Sequence, residues 1–259
     1  MDVMTDKQGT RSVVAVIRCA SYGARDVEEA VDRGLNCLGG PERFVQRGES
    51  ILLKPNLLVA RDAAQGVTTH PSVFRAIARR LLDAGGEVAF GDSPGFGRPG
   101  TAARRAGLRE AADALGVPLA DFSRGRTVSF PAGDLIKQFT LAEGALAADG
   151  IVSLPKLKTH GLTRMTGAIK NQYGCIPGPL KAEFHARLPD VELFSRMLVD
   201  LNRLLRPRLF IMDAVDAMEG NGPQSGTLRP LGLLLLSSDP VALDATACRI
   251  IDLDPALVP

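Results

Sequence analysis

Lys156, Lys158, Thr159, His160, Lys170 and Asn171 crowd into one stretch, IVSLPKLKTHGLTRMTGAIKNQYGCI at 151–176. Ammonium groups offer point charges to a phosphate or carboxylate. A hydroxyl and an amide orient such a group, and an imidazole moves a proton near neutral pH. Lysines packed together lower one another's pKa, because like charges disfavour the charged form, and each then becomes a candidate base or nucleophile. The chemistry is that of a pocket for a small anionic group. Most lysines are solvated surface. These follow an apolar run stopped by Pro155 and are interrupted by Gly161 and Gly167, a setting in which loops carry function.

Further polar groups recur just after short apolar runs. Lys54 and Asn56 follow 51–53, Asp92 and Ser93 follow 87–90, Asp213 follows 209–212, and Ser238 and Asp239 follow 231–236. These runs read as strands, as do 12–19, 119–122, 126–130 and 137–141. They alternate with helical patterns at 24–38, from Pro71 to the Gly85–Gly86 stop, at 101–115 with a break near Gly107, at 190–205 and at 241–251. The alternation predicts a layered α/β fold, a largely parallel open sheet with helices on both faces, in a single domain of 259 residues.

Ligands of such sheets bind beyond the carboxyl ends of the strands, so the polar clusters are expected on one edge, around one composite pocket. Lys54, Asn56, Asp92, Ser93, Lys156, Thr159 and Asn171 are the expected substrate-binding groups. Lys181 and His185 join them from a mobile Gly/Pro-rich loop at 173–188, and Asn221 from the turn EGNGP. His160, Lys158, Lys170, Asp213 and Glu219 are the candidates for catalysis. His70 before Pro71 reads as a helix start, and Asp239 before Pro240 as a helix cap.

Composition narrows the function classes. Aromatics make up 5% of the chain, there is no Trp and the net charge is +2, which argues against nucleic acid as a partner. The longest apolar run, 231–236, is too short to cross a bilayer, so no membrane role is expected. Residues 1–11 read as a frayed tail without an apolar signal core. Cys19, Cys37, Cys175 and Cys248 form no CxxC pair and suit a reducing cytoplasm. Asp92, Asp213 and Asp239 could ligate a metal, but no closely spaced ligand pair supports them and no metal site is expected. Gly91, Gly95 and Gly97 do not have the spacing of a nucleotide loop.

Taken together, KPNL (54–57), TTHP (68–71), GDSPG (91–95), SLPKLKTHGLT (153–163), TGAIKNQYG (166–174), MEGNGP (218–223) and SSDPVALDA (237–245) resemble domain-of-unknown-function family 362, in the family's order. Many members carry a ferredoxin-like region with two 4Fe–4S clusters after this domain, which implies a redox setting. This chain has no CxxC run and stops at Pro259. The cluster is therefore expected on a ferredoxin-like partner or in a C-terminal region missing from the chain. The resulting expectation is an enzyme, an oxidoreductase by this resemblance, acting on a small anionic substrate in an iron–sulfur context. The alternative is a non-catalytic module that binds a ligand or an iron–sulfur protein.

Overall fold

The apolar runs become strands and the amphipathic stripes become helices in the computed structural model, which describes residues 11–259. The tail expected at 1–11 lies, but for Arg11, outside the described residues. Strand β1 (Ala15–Arg18) leads into helix α1 (Ala24–Cys37), and β2 (Ser50–Pro55) leads by a long loop into α2 (Pro71–Asp83). Next come β3 (Glu87–Phe90), α3 (Pro99–Arg105) and α4 (Leu108–Asp113), the two helices separated at Gly107, whose φ of 73° breaks the helical run. An antiparallel pair, β4 (Gly125–Ser129) and β5 (Gln138–Ala142), runs into the short α5 (Glu143–Leu146). The remainder is β6 (Gly150–Leu154), β7 (Lys156–His160), β8 (Arg164–Thr166), α6 (Ala168–Asn171), α7 (Gly178–Arg187), α8 (Val191–Leu205), β9 (Leu209–Glu219), β10 (Thr227–Ser237) and α9 (Pro240–Ile250).

The main sheet has the order β1-β10-β9-β6-β2-β3, with β7 alongside β9 and β8 paired to β7. The strands β9, β6, β2 and β3 are parallel. Strand β10 runs against both of its neighbours. Alternate side chains enter cores on the two faces. Ile51, Leu53, Val152 and Ile211 pack under α1 to α4, whereas Leu52 and Ile151 pack with Phe194 and Met197 of α8. Phe210, Met212 and Leu235 meet Leu243 and Ala247 of α9. Because both faces are covered, LFIM at 209–212 reads as an unbroken apolar run rather than an alternating one.

Caps fix where the helices start. Asp190 accepts from the N–H groups of Glu192 and Leu193, and Asp239 from those of Val241 and Ala242, at 2.8–3.1 Å. Pro240 takes the first helical position, where its missing N–H is no loss. Asp239→Ala is expected to lower stability by about 1 kcal/mol in urea unfolding.

Several expectations change here. The segment 173–188 is a short turn followed by helix α7, because its prolines fall before and inside the first turn, where a helix tolerates them. The strand expected at 119–122 reduces to one bridge between Leu119 and Phe90. Pro155 ends β6 but not the extended backbone: its carbonyl accepts from the Asp213 N–H at 2.9 Å, and β7 resumes at Lys156 beside β9. Ser238 and Asp239 leave the shared edge, since antiparallel β10 sets Ser237 opposite Phe210 at the start of β9.

Candidate functional site

Strand direction decides which polar groups meet. Lys54 lies at the end of β2 and Asp92 just beyond β3, and Lys54 Nζ is 3.0 Å from Asp92 Oδ1 with both side chains buried. Asp92 Oδ2 accepts from the Leu57 N–H at 2.6 Å, which ties the exits of the two strands together. Asn171 Oδ1 accepts from Asn56 Nδ2 at 3.1 Å, and Asn171 Nδ2 donates to Ser153 Oγ at 2.9 Å. Lys158 Nζ completes the network by donating to Asn56 Oδ1 at 2.8 Å and to the Val67 carbonyl at 2.6 Å.

This network floors a cavity of about 310 Å³. Asn56, Asp92, Ser93, Lys158, His160, Lys170, Asn171, Lys181 and His185 all line it, so nine of the residues expected from sequence converge here. Lys54 sits one layer behind, holding Asp92. Asp92 is the one carboxylate in the lining, and it is spent on Lys54.

Three lysine side chains therefore face the cavity without an acidic partner of their own among the described residues. Lys158 is fully buried; burial first, then Lys170 and Lys156, hold its pKa well below the ordinary value. Burial and then Lys181 push Lys170 down to about 8; its Nζ lies 5.8 Å from the Tyr173 ring centre and has no hydrogen-bond partner among the described residues. Burial likewise brings Lys181 to about 8, with Asp92 opposing the shift. Lys181 Nζ bonds to the Ser93 carbonyl and its own carbonyl accepts from Tyr173 Oη at 2.7 Å, so α7 is pinned over the cavity.

His160 Nδ1 accepts from the N–H groups of Leu162 and Thr163 at 3.1 and 3.3 Å. The proton of the neutral ring is thereby fixed on Nε2. Burial, then Lys170 and Lys158, push its pKa down to about 3. The geometry makes it a neutral hydrogen-bond donor rather than the proton shuttle expected from sequence. His185 is exposed and stacks on Phe194, with ring centroids 4.7 Å apart.

Lys156 and Asp213 belong elsewhere. Both are fully buried and 3.0 Å apart. Tyr22 Oη donates to Asp213 Oδ1 at 2.8 Å and accepts from Lys156 Nζ at 2.6 Å. The His70 ring stacks on Tyr22 at 3.7 Å, and its backbone N–H donates to Asp213 Oδ2 at 2.9 Å. Neither Asp213 nor Lys156 lines the cavity where the sequence reading expected them, because each is taken up by the other and by Tyr22. Thr159, Glu219 and Asn221 also fall outside. Thr159 Oγ1 donates to the Gly220 carbonyl at 3.0 Å, and Glu219 is exposed, 3.8 Å from Arg229. Asn221 lies with Thr159 along an adjoining groove, which shares His160 with the cavity. Glu219 is the last residue of the 11-residue β9, and the turn after it brings Pro223 and Gln224, rather than Asn221, to the cavity wall.

Tyr22, Tyr173 and Gly174 were missed by the sequence reading. Tyr22 follows β1, so the strand-end rule could have found it; β1 is parallel to β9 because both run against β10. A Cβ on Gly174 would collide with Asp92 Oδ1 and Lys54 Nζ, and nothing local in the sequence announces that crowding.

No helix among the described residues is long and apolar enough to cross a membrane, and no cluster of three or more His, Cys, Asp or Glu among them could hold a metal ion. The lactate racemase apoprotein from Thermoanaerobacterium thermosaccharolyticum shares the fold, with a TM-score of 0.55 at 12% identity over 91% of this chain. A Thermotoga maritima protein gives a TM-score of 0.48 at 15% identity over 89% of this chain. The chain spans 56% and 59% of the lengths of these two. It is 38% identical over 247 residues to a thylakoid-associated protein of Synechocystis sp., covering 95% of this chain and 76% of that one. The sequence profile described as Domain of unknown function (DUF362) matches residues 51–249, a span that holds every residue lining the cavity, and the chain belongs to that family.

Proposed function

We propose that the cationic cavity binds a small anion and that the chain is an enzyme acting on it. One observation carries this reading: Lys158, Lys170 and Lys181 converge on a cavity in which the only carboxylate is already paired. Burying unpaired ammonium groups is unfavourable, and an anionic ligand relieves that cost. Lys158 and Lys181 hold the anion, Asn56 and Asn171 orient it, and His160 donates from Nε2. Lys170, brought to about 8 and free of hydrogen-bond partners among the described residues, is the acid or base, since catalytic groups work best with a pKa near the working pH. The redox part of the proposal, an electron supplied by a ferredoxin-like protein or region, rests on the family alone. Four free cysteines suit a reducing compartment, and we assign the cytoplasm on that ground.

Calorimetric titration with phosphate and with acetate tests the reading. Binding is expected at pH 7, and the affinity for acetate, whose charge is constant in this range, falls as the pH rises through about 8, because Lys170 and Lys181 then lose their protons. Below that pH both are charged already and the affinity levels off. Binding near pH 8 is also expected to take up protons, since the anion raises the pKa of each lysine it touches. No heat with either anion, or an acetate affinity indifferent to pH between 7 and 9, would overturn it.

A further inference from the structure

A second cavity, of about 300 Å³, lies beside the first. Met165, Ile169, Leu198, Val241 and Cys248 give it an apolar wall. Lys170 lines both cavities. Its ammonium group belongs to the cationic one, where it lies over Tyr173 and is felt by Lys158, His160 and Lys181. Its aliphatic stem suits the apolar wall of the second cavity, as the stems of long cationic side chains commonly do.

Two polar groups mark the second cavity. Ser195 is 8% exposed, and its Oγ is buried without a hydrogen-bond partner among the described residues. An unmet hydroxyl is unfavourable, so the site suits an occupant carrying an acceptor. Asp244 also lines the cavity, with its carboxylate bonded to the N–H groups of Ala168 and Ile169 at 2.6 and 3.1 Å. A carboxylate there repels an anionic head, while three lysines attract one next door.

We infer that the ligand of the cationic cavity is amphipathic: an oxyanion head among the lysines, and an apolar arm that crosses at Lys170 into the second cavity and offers an acceptor to Ser195. The inference rests on the anion-binding reading above and adds the class of ligand. Head and arm would be read by separate walls, one electrostatic and one apolar, so affinity should depend on both charge and chain length.

Calorimetry at pH 7 with two pairs, acetate against octanoate and phosphate against octyl phosphate, tests it, and the better pair identifies the head. Each buried methylene adds to affinity, so the octyl member of that pair is expected to bind at least about tenfold more tightly than its short partner. Ala245→Phe, which fills the second cavity, and Val241→Phe at its exposed rim should each erase that gain and leave the short anion's affinity unchanged. Equal affinities within both pairs would overturn the inference and leave the anion site standing. Octan-1-ol binding as tightly as octanoate would also overturn it, because the arm would then be read without the head. Absence of binding by all four anions would overturn both readings.

Discussion

Lys170→Met is expected to give a protein that is more stable at pH 7 and binds its anion more weakly. The ordinary lysine pKa of 10.5 describes the unfolded chain, and burial with Lys181 nearby brings the folded value to about 8. Below pH 8 both states hold the proton, and the folded state bears the cost of a poorly solvated ammonium. Between about 8 and 10.5 the unfolded chain binds more protons than the folded one, so stability rises with pH; above 10.5 the cost is gone. Methionine keeps the apolar stem and removes the charge. The variant should therefore exceed the parent by on the order of 2–3 kcal/mol at pH 7, with the difference vanishing towards pH 11. Urea midpoints at several pH values measure this. Loss of a charge-assisted hydrogen bond to the ligand should weaken binding by about 10- to 100-fold in the same variant. A functional site held at the expense of the fold gives that opposite pair of signs. A variant less stable than the parent at pH 7 would show that Lys170 serves the fold instead.

What could be read from the chain follows from how local each signal is. Lys54, Asp92 and Lys158 were legible because strand ends are written in short apolar runs and because parallel strands deliver their ends to one edge. The direction of β10 was not legible, since a run such as LGLLLL carries no mark of being antiparallel; Ser238 and Asp239 were therefore expected on the shared edge, although the cap read for Asp239 is the one it forms. Lys156 and Lys158 look alike in sequence and are two residues apart on β7, yet they enter different networks. Their partners arrive from distant segments, Tyr22 and Asp213 for one, Asn56 and Val67 for the other. The helix at 178–187 was masked by its own glycine and prolines. The second cavity was not legible as a site, because Ser195, Leu198 and Val241 each read as ordinary positions on amphipathic helices.

The split between those two networks makes a second strong prediction. Lys156→Met should destabilise the protein by about 3 kcal/mol, because it leaves the Asp213 carboxylate buried without its cation. Asp213→Leu should cost more, about 4–5 kcal/mol, since it strips the acceptor from Lys156, from Tyr22 Oη and from the His70 N–H at once. In the Lys156→Met protein the carboxylate still receives Tyr22 and His70, which is why the two variants should not be equivalent. Neither side chain lines the cationic cavity, so Lys156→Met should keep its anion affinity within about twofold of the parent, whereas Lys158→Met should lose at least about tenfold. Urea unfolding and phosphate titration of the same three variants separate the roles. Should Lys156→Met abolish binding while leaving the unfolding midpoint in place, the buried ion pair would belong to the site after all, and the cavity would extend to the Tyr22–His70 cluster.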